Sequence, residues 1–295
     1  MKAKLTTHLS AVISAATQRQ FKLHHTAPVG GGSINESSRI EDADGTRYFL
    51  KLNDARHHAM FVAEATGLTA IAATNTLRVP RPVAHGIMEG RSYLVLEYLE
   101  LSSRGDARLL GEQLAALHRS TNKRFGFDQD NFIGTTAQPN KWTDDWVTFW
   151  REQRLGFQLR LAAENGHGGE LQKMGAELLD ALPAFFSGYT PQPSLLHGDL
   201  WGGNHAFLAD GTPTIFDPAV YYGDRECDLA MTELFGGYPE IFYAAYRKAW
   251  PPDRGYAARR DLYNLYHILN HANLFGGGYT GQAEQVMSRL LASAC

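Results

Sequence analysis

Apolar and polar positions follow two different rhythms along this chain, and the change from one to the other divides it. Residues 1–20 break their apolar positions with Thr, His, Ser and Gln, which predicts an amphipathic helix and not the continuous apolar core of a leader peptide. Two extended runs, 38–40 and 46–52, flank Asp42, Ala43, Asp44 and Gly45, and Asp-Gly between such runs predicts a hairpin. In the second run Phe49 and Lys51 point one way, and Tyr48, Leu50 and Leu52 the other. Residues 56–74 are good helix formers with Phe61, Leu68 and Ile71 at helical spacing, and Glu64 lies in the same stripe. A carboxylate on an apolar stripe requires a partner, and Lys51 on the preceding strand is the candidate.

A strand at 93–99 follows, and then a polar break from Ser102 to Asp106. Beyond the break the periodicity is mainly helical, over 107–119, 142–163, 170–186, 227–235, 239–250 and 259–275. One hairpin interrupts it, with strands at 205–208 and 214–216 joined through Asp210 and Gly211. This pattern predicts an α+β chain of two lobes, a small β-rich N-lobe over 1–101 and a larger helical C-lobe over 102–295. The length of 295 residues agrees, since it exceeds the size at which single cores stop growing.

Composition narrows the class. Apolar residues make up 44% and charged residues 20%, ordinary for a packed globular chain, and the formal charge of −3 argues against bulk nucleic-acid or anionic-membrane binding. Cys227 and Cys295 are the only cysteines, in no metal-ligand spacing, and no apolar stretch approaches the length of a membrane span. A soluble protein in the reducing cytoplasm is expected.

The candidate chemistry lies in the segment HGDLWGGN at 197–204. Asp199 and Asn204 are separated by four residues, the spacing of base aspartate and metal-binding asparagine in a kinase catalytic loop. Asp217 ends the following hairpin, where a second metal carboxylate belongs, and a Mg²⁺ ion takes carboxylates together with substrate phosphates. Lys51 with Glu64 behind it suits an ammonium oriented onto phosphate. Gly31, Gly32 and Ser33 precede the Lys51 hairpin, where a loop covering phosphates is needed, although the run is neither GxGxxG nor a Walker A motif. Glu97, Tyr98 and Leu99 close the last N-lobe strand and are candidates to pair with an adenine edge. Taken singly, these residues also fit a capped turn, an Asx-Pro turn, a solvated strand lysine and a flexible glycine turn. Their order along the chain selects phosphoryl transfer from ATP.

Several strings resemble the fructosamine kinase (ketosamine kinase) family: VGGGSINES at 29–37, YFLKLN at 48–53, FVAEATGL at 61–68, VPRPVAHG at 79–86, HGDLWGGN at 197–204, FDPAVYYGDRECDLAM at 216–231 and HANLFGGGY at 271–279. The resemblance implies a protein-kinase-like two-lobed fold and transfer of the ATP γ-phosphoryl group to a sugar hydroxyl of a ribulosamine or fructosamine adduct, a protein-deglycation repair activity. It implies Asp199 as proton acceptor, Asn204 and Asp217 as magnesium ligands, Lys51 on the phosphates with Glu64 behind it, and Glu97 to Leu99 as the adenine hinge. Some members carry a cysteine in the glycine loop; this chain has Ser33 there, so a monomer without a loop disulfide is expected.

Only about ten residues separate Asp217 from Asp228, too few for a peptide-binding activation segment, so a small acceptor is expected. Asp228 is expected to cap the helix after it. Trp201, Tyr221 and Tyr222 are candidates to stack on a sugar ring, with core packing the alternative. His267 and His271 stand four apart on a helix but lack a third metal ligand, so packed histidines are expected. The competing readings are a kinase of another small hydroxylated molecule, such as an aminoglycoside or choline, and a nucleotide-binding pseudokinase.

Overall fold

The Asp42–Gly45 turn reverses the chain as its residues dictate. In the computed structural model, which describes residues 3–30 and 34–294, the Asp42 carboxylate accepts the N–H groups of Asp44 and Thr46 at 3.0 and 2.8 Å, and Gly45 takes the left-handed φ of +83°. The turn joins β2 (Glu36–Glu41) to β3 (Arg47–Asp54) within a five-stranded antiparallel sheet. The other strands are β1 (His25–Pro28), β4 (Pro82–Met88) and β5 (Arg91–Glu97), and the order is β1-β2-β3-β5-β4. One face of the sheet presents Ile40, Leu50, Leu52, Tyr93 and Val95, which pack with Leu5, Leu9 and Ile13 of α1 (Ala3–Thr17) into one core. Lys51 and Leu94 are register partners on the opposite face, as the period of two requires. Asp54 caps the turn Ala55–His57 by accepting the N–H of Arg56 at 3.0 Å, and the chain continues into α2 (His58–Ala73), packed on β4 and β5.

The chain divides into two compact units, residues 1–106 with 206–217, and residues 107–205 with 218–295. This division differs from the expected one in that residues 102–106 and the 206–217 segment both belong with the sheet unit. Backbone pairing explains this: Ser102 exchanges two hydrogen bonds with Phe207, at 2.7 and 2.9 Å, and the Ile215 N–H donates to Arg78 at 3.0 Å.

The second unit is mainly helical: α3 (Ala107–His118), α4 (Trp146–Trp150), α5 (Gly156–Glu164), α6 (Glu170–Ala181), α7 (Glu226–Leu234), α8 (Glu240–Ala249), α9 (Tyr256–Phe275) and α10 (Tyr279–Ala294). Its two short strand pairs, Asn131–Ile133 with Thr136–Gln138 and Ser194–Leu196 with Tyr221–Gly223, go beyond the single expected hairpin. The helix expected over 142–163 begins later, at the Asp145 cap, and passes through a π-helical turn, Arg151–Leu155, before α5. Pro183, which has no N–H to donate, ends α6 in a 3₁₀ turn over Leu182–Phe186. The α10 helix was not expected; it buries Ala283, Val286, Met287 and Leu290 in the core around Trp146, Phe149 and Trp150. Among the described residues no helix is long and apolar enough to cross a membrane.

Candidate active site

Strand β3 carries Lys51 to a position where its ammonium meets two carboxylates. Nζ donates to Glu64 Oε1 at 2.7 Å and to Asp217 Oδ1 at 2.5 Å. The Lys51 side chain is 6% exposed and that of Glu64 12%, whereas that of Asp217 is 44% exposed. The ammonium therefore joins an interior carboxylate to one open to solvent. Burial works against the Lys51 charge, but the two carboxylates outweigh it and hold the ammonium well above the ordinary lysine range. Burial pushes the Glu64 carboxyl up, to about 7, against the pull of Lys51, and Asp217 adds to the rise. Asp217 itself adopts φ +58° directly before Pro218, a left-handed conformation that a non-glycine residue holds only when its surroundings enforce it.

The loop 197–204 is built around a tight turn. Gly198 has φ +83°, and a Cβ there would stand 2.1 Å from the Ala219 carbonyl oxygen, so only glycine fits. The Asn204 Nδ2 donates to the Asp199 carbonyl at 2.9 Å and to its Oδ2 at 3.2 Å, which fixes backbone and carboxylate together. Asn204 is buried, and with its Nδ2 engaged its Oδ1 is left as the acceptor for an external group. Tyr238 donates its hydroxyl to the Trp201 carbonyl at 3.1 Å and steadies the middle of the loop.

Asp228 does not cap α7, as had been expected. It is the third residue of that helix, almost fully buried, and its carboxylate reaches the loop instead. Oδ2 accepts the His197 N–H at 2.7 Å and Oδ1 the Gly198 N–H at 2.9 Å. A third bond joins Oδ2 to His118 Nε2 at 3.2 Å, while His118 Nδ1 meets the Tyr246 hydroxyl at 2.7 Å. Burial pushes the His118 imidazole down, so it stays neutral, donating through Nε2 and accepting through Nδ1. Burial alone would raise the Asp228 carboxyl, but the His118 hydrogen bond and neighbouring N–H donors outweigh it and hold it low. Sequence reasoning missed this brace. Its only trace was a carboxylate and a histidine, each at an otherwise apolar helix position.

Other expected site residues lie as follows. Glu97 ends β5, where its carboxylate bonds Arg78 and accepts the Arg81 N–H at 3.2 Å; Tyr98 and Leu99 follow, partly buried, just beyond the strand. Trp201 is 40% exposed, its ring 6.4 Å from that of Phe235. Tyr221 is a correction: at 3% exposure, with the Arg154 guanidinium 4.0 Å from its ring centroid and Phe149 stacked at 5.7 Å, it is core and has no face for a sugar. Gly31, Gly32 and Ser33 lie outside the described residues. Burial drives the His267 imidazole down to about 3, and its carbonyl bonds His271 Nδ1 at 2.8 Å, so this pair is packed in the helix. Among the described residues no group of three or more His, Cys, Asp or Glu could hold a metal ion.

The chain is similar to known proteins over almost its whole length. The model of the family "Fructosamine kinase" matches residues 5–293. A Synechocystis protein named as a probable ketoamine kinase is 49% identical over 283 residues, covering 95% of this chain and 94% of its own length. A chloroplastic protein-ribulosamine 3-kinase of Arabidopsis thaliana is 43% identical, covering 89% of this chain and 81% of its own. The crystal structure of a protein from Haemophilus somnus, described as a candidate fructosamine-3-kinase, superposes with a TM-score of 0.88 at 30% identity, over 97% of this chain and 99% of that one. The expected α+β, protein-kinase-like fold is thus the observed one. With a family match that runs almost from end to end and relatives at this identity, the chain belongs to the fructosamine kinase family.

Proposed function

We propose that this protein transfers the γ-phosphoryl group of ATP to a sugar hydroxyl of a ketosamine, a ribulosamine or fructosamine carried on an amine, and so takes part in protein deglycation. The observation that carries the reading is the Asn204 amide bonded to both the carbonyl and the carboxylate of Asp199, which holds an acceptor for the hydroxyl proton in one orientation. As the sugar oxygen bonds to the γ-phosphorus and the bond to the β,γ-bridging oxygen breaks, Asp199 takes the hydroxyl proton and ADP leaves. Lys51, ionised and braced by Glu64, binds phosphate oxygens, and the Glu97 to Leu99 stretch receives the adenine edge. The nucleotide falls to residues 1–101 in this reading, with Gly31, Gly32 and Ser33 over its phosphates, and the acceptor to residues 102–295, with exposed Trp201 against the sugar.

The donor set suits magnesium, since the Asn204 amide oxygen and the part-exposed Asp217 carboxylate are hard oxygen ligands. A bound Mg²⁺ neutralises charge on the transferring phosphates. The names of the relatives support the acceptor class, among them the ribulosamine 3-kinase of Arabidopsis thaliana. In this reading the protein is a cytoplasmic monomer, and its net charge of −3 argues against binding to nucleic acid or anionic membrane.

The test is an ADP-release assay with ribulosamine, fructosamine and aminoglycoside acceptors. Turnover is expected with a ketosamine, falling about 10²–10⁴-fold in Asp199→Asn while ATP still binds. Turnover with the antibiotic alone would overturn the acceptor assignment.

A further inference from the structure

We propose that His58 and His85 form a binding site for a transition-metal ion of the zinc, copper or nickel type, one that fastens helix α2 to strand β4. His58 is the first residue of α2 and His85 lies in the middle of β4. The fold brings His58 Nε2 to within 3.4 Å of His85 Nδ1, with ring centroids 5.5 Å apart and planes tilted by 45°.

That separation is long for a hydrogen bond, since N–H donors sit at roughly 2.7–3.2 Å from their acceptors. It does match two ligands of one ion. Imidazole nitrogens at about 2.0–2.1 Å from a tetrahedral zinc stand about 3.4 Å from each other. The two nitrogens therefore already have the spacing of one edge of a coordination tetrahedron.

The chemistry of the rings also fits, since neutral imidazole is the common ligand of these ions. His85 is exposed and His58 half-buried, which leaves the outer coordination positions to water. The adjacent His57 is engaged by the Arg56 guanidinium at 3.3 Å, so the protein set is two imidazoles. Two nitrogen ligands without a carboxylate select zinc, copper or nickel and not magnesium or calcium, which take oxygen. The site is thus distinct in chemistry from the phosphoryl-transfer metal, and with only two protein ligands it exchanges its ion.

A metal here would tie the first turn of α2 to the sheet. The same helix carries Glu64, which holds Lys51 at 2.7 Å, so the site acts on the element that orients the lysine.

The test uses metal-stripped full-length protein. Titration calorimetry with Zn²⁺ is expected to show one equivalent that disappears in His58→Ala and in His85→Ala, and Zn²⁺ should raise the unfolding midpoint of the wild type but of neither variant. Retention of the equivalent in both variants overturns the proposal. Electron paramagnetic resonance of wild-type protein with one equivalent of Cu²⁺ decides the case without any variant. Hyperfine coupling to two imidazole nitrogens is expected, and its absence overturns the site.

Discussion

The carboxylate of Asp228 accepts the backbone N–H of His197 at 2.7 Å across 31 residues of chain, and the next N–H, that of Gly198, at 2.9 Å. The loop bearing Asp199 is therefore suspended from a helix and does not rest on its own turn alone. The suspension continues inward: Arg225 donates to the Tyr246 hydroxyl at 3.1 Å, Tyr246 to His118, and His118 to Asp228. Each member is buried, so each bond operates where water cannot replace it.

Asp228→Ala is expected to lower stability by about 3–5 kcal/mol, because it leaves two buried N–H groups and an imidazole without their acceptor. The unfolding midpoint should drop by roughly 6–15 °C. The pH dependence carries a sign. The folded Asp228 carboxyl lies below its ordinary value, so its contribution is complete above the unfolded pKa and is lost as pH falls through the folded one. Asp228→Asn should flatten the acid limb of a stability profile from about pH 5 downward, through the folded value that lies below the ordinary carboxylate range. A limb as steep as that of the wild type would exclude this account.

Asp217→Asn is expected to make Glu64 ionise at lower pH. Burial is the main cause of the raised Glu64 value of about 7, and the Asp217 charge adds to it. Removing that charge leaves Glu64 as the only carboxylate on the Lys51 ammonium. For an acid raised on folding, stability declines as pH climbs from the unfolded value to the folded one, and the variant should reduce that decline. A ¹³C NMR titration of the Glu64 carboxyl measures the shift directly, and an unmoved midpoint would refute it.

How much of this was legible in the sequence depended on whether the partner of a residue is local. Lys51 and Glu64 were readable because a charge in an apolar stripe requires a counter-charge and the preceding strand offered one. Asp199 and Asn204 were readable from spacing within one loop. Asp228 was not, since its partners are backbone groups 30 and 31 residues earlier, and a short acidic residue near a helix start looks locally like a cap. Strand β1, His25–Pro28, is exposed along most of its length and offers no alternation to read. Helix α10 did offer a signal, with Ala283, Val286, Met287 and Leu290 at helical spacing, which the expected helices, ending at 275, did not include. The burial of Tyr221 depends on Arg154 and Phe149, 67 and 72 residues away, which no local pattern reports.

Two substitutions at Asn204 should separate its roles. Asn204→Ala removes the donor to Asp199 and the amide oxygen together, so kcat should fall about 10²-fold and the Mg²⁺ requirement should rise. Asn204→Asp keeps an oxygen donor but sets a like charge 3.2 Å from the Asp199 carboxylate. Here kcat should fall while half-saturation by Mg²⁺ stays close to wild type. Steady-state kinetics over a Mg²⁺ titration tells the two apart, and a normal Mg²⁺ requirement in Asn204→Ala would remove this residue from the metal set.

Gly198→Ala is expected to disrupt the loop more than its size suggests. The residue sits at φ +83°, and the new methyl would meet the Ala219 carbonyl oxygen at 2.1 Å, a backbone atom itself fixed by the Ala219 N–H bond to His197 at 2.8 Å. The left-handed conformation adds about 1–2 kcal/mol for a non-glycine residue. Loss of kcat should exceed loss of stability if the loop relaxes by moving Asp199. Equal unfolding midpoints and equal kcat would show that the turn tolerates a side chain.

Arg154 is buried in the helical core, and among the described residues no carboxylate forms an ion pair with it. It lies in the π-helical turn and donates to the Pro139 carbonyl at 2.6 Å, the Gln153 carbonyl at 2.9 Å and Asn140 Oδ1 at 2.7 Å, while its guanidinium covers the Tyr221 and Phe149 rings at 4.0 and 4.6 Å. Fixed dipoles and aromatic faces thus take the place of a counter-ion. Arg154→Met retains much of the volume but strands three acceptors, so a loss of about 3 kcal/mol is expected, read as a midpoint lowered by roughly 6–12 °C. Arg154→Lys keeps the charge yet cannot bridge the three acceptors with a planar fork, and it should lose nearly as much. A lysine variant as stable as the wild type would mean that charge alone, and not the shape of the guanidinium, holds this part of the core together.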